Sequence, residues 1–151
     1  MTAVAERGRA GGRTPWHLWA VGVIAVLWNG FGVYDFLMTL TGGEEYLRSM
    51  KMTEPQIAYF DAMPAWTYGP WLLGVGGAFA GAILLLLRRR WALHAFLLSL
   101  LGLALSLVYT FLLSDGAEVM GDAIYMQAVV IAGALFFTWY AWMMAKRGVL
   151  R

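Results

Sequence analysis

Cysteine is absent from the 151 residues, which excludes a disulfide framework, a thiolate metal site and a cysteine nucleophile together. Charge is also scarce. Only 13% of residues are charged, against roughly a quarter in soluble domains, so an ordinary water-soluble fold is excluded. Histidine occurs only as His17 and His94. No serine–histidine–acid spacing, metalloprotease helix or phosphate-binding glycine loop accompanies them. The sequence therefore predicts no enzyme, no metal and no cofactor. The two imidazoles fall at comparable depth in parallel segments, where contact with lipid headgroups is the expectation and ligation of a haem or metal the rarer alternative.

What is abundant is apolar sequence, 61% of the chain, gathered into Trp16–Leu40, Pro64–Leu87, Trp91–Leu113 and Ala123–Ala145. Each run meets the roughly 20 residues needed to cross about 30 Å of hydrocarbon as a helix. None alternates as a membrane strand does, and only helices otherwise satisfy their backbone groups in lipid. The expected fold is an all-α integral membrane protein, a four-transmembrane-helix bundle over residues 16–145. A flexible basic tail over residues 1–15 and a short terminus over residues 146–151 flank it. The first run is too long for a signal core and has no small-x-small cleavage site after it, so it reads as an uncleaved span.

Charge sets the orientation. Arg7, Arg9, Arg13, Arg88, Arg89, Arg90, Lys146, Arg147 and Arg151 fall on one side, leaving Arg48 and Lys51 on the other. By the positive-inside rule both termini are cytoplasmic. Glu44, Glu45, Glu54, Asp61, Asp115, Glu118 and Asp122 all lie in the two opposite loops. Tryptophans crowd the basic end and tyrosines the acidic end, as interfacial belts do. The basic face suits anionic lipid headgroups and not nucleic acid.

The long acidic-side connection holds Thr53-Glu54-Pro55-Gln56, a capping-box start for a helix over about 53–62. Ile57, Phe60 and Met63 then recur at helical spacing, so this helix is expected to lie on the membrane surface, as an ordered spacer or as a lid. The first and third runs share a register. Trp16, Leu18 and Ala20 match Trp91, Leu93 and Ala95, and Val33–Leu37 matches Val108–Leu112. A parallel two-hairpin repeat produces such a match, and so does a chance likeness between aromatic-rich spans. Gly74, Ala78 and Ala82, with Gly77 and Gly81, give the second run a small-residue face, and Ser99, Gly102 and Ser106 give the third another. Such faces predict close helix packing within one chain or, through Gly74, Gly77, Ala78 and Gly81, a homodimer seam.

Polar residues within the runs are the candidate site. Asn29 falls near mid-membrane, about 17 Å beyond Leu18, and Asp35 about 26 Å beyond it, close to the acidic-side interface. Gln127, Thr110, Tyr34, Tyr109 and Tyr68 fall at similar outer depth. Facing inward, they would form an aromatic-lined polar cavity with the chemistry for a sugar or polyol, Asp35 taking substrate or a coupling proton and Asn29 and Gln127 orienting it. Facing one another or lipid, the tyrosines are an interfacial belt and Asn29 an interhelical clamp.

The motifs Pro15-Trp16-His17-Leu18-Trp19, Leu27-Trp28-Asn29-Gly30, Asp35, Met63-Pro64-Ala65-Trp66 and Leu84–Arg90 followed by Trp91-Ala92 resemble those of a family of small four-helix bacterial membrane proteins. Some of its members are labelled sugar transporters. The resemblance runs from Pro15 to about Gly116 and implies a helical bundle in a bacterial inner membrane. Two functions follow as expectations: a small-solute carrier or membrane binding protein with an outward-facing cavity, or a non-catalytic accessory or structural subunit of a membrane complex.

Overall fold

The computed structural model describes residues 13–151, so Arg7, Arg9 and nearly all of the expected flexible tail lie outside the described residues. The described chain forms six α-helices: α1 (Trp16–Ser49), α2 (Glu54–Asp61), α3 (Tyr68–Leu86), α4 (Trp91–Val108), α5 (Gly116–Met120) and α6 (Ile124–Lys146). It contains no strand among those residues. Short 3-10 turns precede α3 and α6, and α4 continues as a π-helical turn, Tyr109–Leu113. Four stretches are long and apolar enough to cross a membrane: Trp16–Ser49, Ala65–Leu86, Trp91–Leu113 and Gly116–Lys146. They begin and end close to the four apolar runs, except that α1 reaches well past Leu40 into the expected loop and the fourth begins at Gly116, seven residues before Ala123.

Gly43 explains that extension. Its backbone (φ 53°, ψ −138°) is open to glycine and almost closed to residues with a Cβ. The chain therefore bends sharply there and resumes a helix. Glu44 and Glu45 open the new stretch, where a helix N-terminus favours negative charge. The bend brings Tyr46 and Leu47 back onto the bundle, where they pack with Ile57 of α2 against Met38, Met52 and Phe60. Arg48 pairs with Glu44 and Glu54. Both pairs are exposed and order the loop more than they stabilise it.

Close packing is built on small residues. α3 lies between α1 and α4, and α6 packs against α4. A Cβ on Gly102 would stand 2.5 Å from both Gly74 N and Pro70 O, and one on Gly77 would stand 3.1 Å from Ala95 O. The Ser99 hydroxyl donates to Gly74 O across the same interface (2.6 Å). Gly74, Gly77 and Gly81 lie against α4 and Ala78 is buried, so this face packs within the chain. Gly22, Gly30 and Gly32 of α1 meet Leu86, Phe79 and Val75 of α3, a small-residue face the sequence reading overlooked. The two hairpins are not packed alike. α1 packs extensively on α3, whereas α4 and α6 leave a groove between them, and the α3–α4 contact that joins the hairpins is the most extensive.

Three helices end in the same way. Lys51 (φ 61°), Arg88 (φ 57°) and Gly148 (φ 71°) adopt the left-handed conformation. Just after each, a backbone N–H returns to the helix: Met52 to Leu47 O, Arg89 to Leu84 O and Val149 to Met144 O. This is the Schellman arrangement, which favours glycine at the left-handed position. Lysine and arginine hold it at a cost of about 1 kcal/mol each. Lys51→Gly, whose side chain is exposed, is accordingly expected to raise unfolding free energy by about 1 kcal/mol, read from chemical unfolding in detergent.

The main core lies toward the basic end. Leu18, Ala25, Ala82, Leu85, Ala92, Phe96, Phe137, Tyr140, Ala141 and Met144 pack together with Val149 and Leu150. The segment expected as a plain terminus therefore turns back under the bundle. Arg151 N donates to Arg88 O (2.7 Å) and Arg90 N to Arg151 O (3.0 Å). The Nε atoms of Arg88 and Arg90 donate to Val149 O and Leu150 O.

Candidate functional site

The polar residues singled out from the sequence are spread over three neighbourhoods. On α1, the Asn29 amide donates to Ala25 O of its own helix (2.8 Å). It back-bonds one turn earlier instead of clamping a neighbour, and Thr39, Thr41 and Thr138 do the same. Such a bond removes a polar group from lipid without a partner helix. Six residues on, half-buried Asp35 accepts a hydrogen bond from the Tyr46 hydroxyl (2.7 Å). Tyr34 is exposed, and its ring meets the Tyr46 ring edge-on at 6.4 Å. Gln127 is half-buried on α6 and forms no hydrogen bond with Asp35 or Asn29 among the described residues. Asp35 and Asn29 are thus bonded separately, and Gln127 stands on another helix.

Tyr109, Tyr68 and Thr110 belong to a different group, at the acidic end. Tyr109 opens the π-helical turn and lies between the rings of Trp66 (5.7 Å) and Tyr59 (6.1 Å). Tyr59 adjoins Phe60, Phe60 adjoins Trp71, and Trp71 meets both Tyr68 and Phe36. Seven aromatic rings from α1, α2, the 3-10 turn before α3, α3 itself and the π turn fill this end. A π turn at the end of α4 widens the helix by one residue. The Ser114 hydroxyl donates to Tyr109 O (2.8 Å) and closes it.

The short helix α2 seals the group. Ile57 is 3% exposed and packs with Tyr46 and Leu47, so the apolar face of α2 is turned to the protein. Thr53 N donates to Gln56 Oε1 (3.1 Å), the capping contact expected from the sequence. The Gln56 amide then reaches Met120 O (3.2 Å), and the Tyr59 hydroxyl lies 3.1 Å from Ser114 Oγ. Gly116 fits beneath Tyr59, where a Cβ would meet the phenol oxygen at 2.4 Å. Tyr46, Tyr59, Phe60 and Trp71 are the residues sequence reasoning missed. For α2, the helical spacing of Ile57 and Phe60 was the available signal. For Tyr46 there was none, since its approach to Asp35 depends on the bend at Gly43.

Two hollows stand out, and both lie toward the basic end. One, about 340 Å³, is a groove between α4 and α6 lined by Leu93, Leu97, Leu100, Leu135, Thr138, Trp139 and Trp142. The other, about 280 Å³, lies by the turn between α3 and α4 against Leu87, Arg88, Arg89 and Arg151. Neither is lined by Asp35, Asn29 or Gln127. The histidines stand apart from them: His17 Nδ1 is 2.5 Å from the Tyr140 hydroxyl, and His94 is exposed beside the Trp91 ring. No cluster of three or more acidic or histidine side chains able to hold a metal occurs among the described residues.

No family model, curated protein or solved structure matches this chain.

Proposed function

We propose that the chain is a multi-pass protein of a bacterial inner membrane, with both termini cytoplasmic, serving as a non-catalytic accessory or structural subunit of a membrane assembly. The observation that carries this reading is the filled acidic end. Tyr59 and Phe60 of α2 pack on Tyr109 and Trp71, and Asn29, Asp35 and Ser99 bond within the protein. The nine-to-two division of basic residues supports the orientation. The motif resemblance supports the bacterial membrane.

One observation favours the carrier instead. Asp35 is tied to the segment beyond the Gly43 bend by a single tyrosine hydrogen bond, a link that a movable gate would need to break. A carrier would then take a sugar or polyol against Asp35 once α2 lifts.

Thermal stability in nanodiscs against a panel of sugars and polyols separates the two, with wild type and Asp35→Asn run side by side. The subunit reading expects no ligand-dependent shift in either. It also expects Asp35→Asn to lower stability by about 1–2 kcal/mol, as one charge-assisted hydrogen bond weakens. A ligand that raises wild-type stability by about 2.7 kcal/mol at a hundredfold excess over its Kd, and leaves the mutant unmoved, would overturn it.

The absence of cysteine makes topology directly testable. Single cysteines at Asp61 and Arg89, labelled on intact cells with a membrane-impermeant maleimide, are expected to react at 61 and not at 89. The reverse pattern, or reaction at both, would refute the orientation.

A further inference from the structure

The α4–α6 groove has a feature that simple helix packing does not require: its basic mouth. Leu93, Leu97 and Leu100 form its α4 wall, and Leu135, Thr138, Trp139 and Trp142 its α6 wall. Each wall extends about 10 Å along its helix, about a third of the hydrocarbon thickness. Arg89 lies four residues before Leu93, and Lys146 lies four after Trp142. The helices are antiparallel, so Lys146 stands about 6 Å beyond the same end of the groove to which the turn before α4 brings Arg89, which also lines the hollow beside Leu87, Arg88 and Arg151. Lys146 Nζ sits 4.6 Å from the centre of the Trp142 ring. Both cations are exposed and neither has an ion-pair partner among the described residues. Arg88 and Arg90 have their Nε atoms engaged by Val149 O and Leu150 O, which leaves Arg89 as the least committed guanidinium of the turn.

We propose that this groove is a binding site for one anionic phospholipid. The upper part of an acyl chain lies along the leucine and tryptophan walls, and the phosphate bridges Lys146 and Arg89. Long apolar walls select a lipid over free phosphate, and two unneutralised cations at headgroup depth select an anionic headgroup over a zwitterionic one. The site rests on the membrane placement proposed above but not on the subunit role. The cysteine-labelling experiment tests the placement separately.

The test is native mass spectrometry of the full chain in detergent, titrated with dioleoyl phosphatidylglycerol or dioleoyl phosphatidylcholine. Wild type is expected to retain one phosphatidylglycerol at least tenfold more tightly than phosphatidylcholine. Each cation contributes about fivefold, so R89Q/K146Q should weaken phosphatidylglycerol about thirtyfold and leave phosphatidylcholine unchanged. Leu135→Trp, which fills the groove, should weaken both lipids. Equal retention of the two lipids by wild type overturns the proposal without recourse to any variant. So does unchanged phosphatidylglycerol binding in folded R89Q/K146Q, or equal competition by glycerol phosphate, which would mark a free-anion site.

Discussion

Gly102→Ala is expected to cost the bundle about 3 kcal/mol. The new methyl would fall 2.5 Å from Gly74 N and from Pro70 O, and 3.0 Å from Leu73 C. All three are backbone atoms of α3, so no side chain can rotate away and the two helices must separate. Separation has a second cost, because the Ser99 hydroxyl donates to Gly74 O across this interface at 2.6 Å. In lipid, close backbone approach is the main source of helix–helix attraction, since leucine gains little by leaving hydrocarbon. Gly76→Ala is the matched comparison. Its methyl would meet only Leu72 Cδ1 at 3.7 Å, an ordinary contact, and alanine is the better helix former by about 0.5–1 kcal/mol. Unfolding in detergent should therefore show Gly102→Ala strongly destabilised and Gly76→Ala neutral or slightly stabilised. Equal effects would mean that the α3–α4 interface is not the close contact described.

How far the sequence could be read depended on the range of the interaction. The four long helices were legible because length and apolar content alone decide them, and Thr53 with Gln56 was legible because a cap is local. The small-residue faces of α3 and α4 were legible as faces, but whether they met each other or a second copy depends on packing across the chain. For Asn29 the sequence offered a mid-span amide seeking a partner, and the nearest acceptor, Ala25 O, was on its own helix. The bends were the hardest to foresee. Left-handed backbone is anticipated at glycine, and Gly43 and Gly148 obey that rule, whereas Lys51 and Arg88 do not. The outer cavity was inferred from residues at equal depth. Depth does not fix which way a side chain faces, and Tyr59 and Phe60 reach Tyr109 and Trp71 from α2, a helix that could have been a surface spacer or a lid.

The largest effect outside the α3–α4 interface is expected from the far end of the chain, at Leu150. Nothing in Lys146-Arg147-Gly148-Val149-Leu150-Arg151 announces structure, yet Leu150 is 1% exposed and Val149 3%. Gly148 makes the turn at φ 71°, which releases the chain from α6 and sends Val149 and Leu150 into the core beside Leu18, Leu85 and Ala92. Backbone bonds from Arg151 to Arg88 and from Arg90 to Arg151 hold the register. The charged turn and the terminus therefore form one plug, with arginines outward and two aliphatic side chains inward. Leu150→Ala is expected to lower unfolding free energy by about 3 kcal/mol, the usual cost of emptying a fully buried leucine site. Leu112→Ala, at a side chain 75% exposed, should change it by no more than about 0.5 kcal/mol. Amide exchange gives an independent reading. Arg90 and Arg151 amides should be protected in wild type and should exchange faster in Leu150→Ala, because losing the anchor frees the bonds it aligns. Wild-type protection at these two amides no greater than at exposed turns would show that the terminus does not dock.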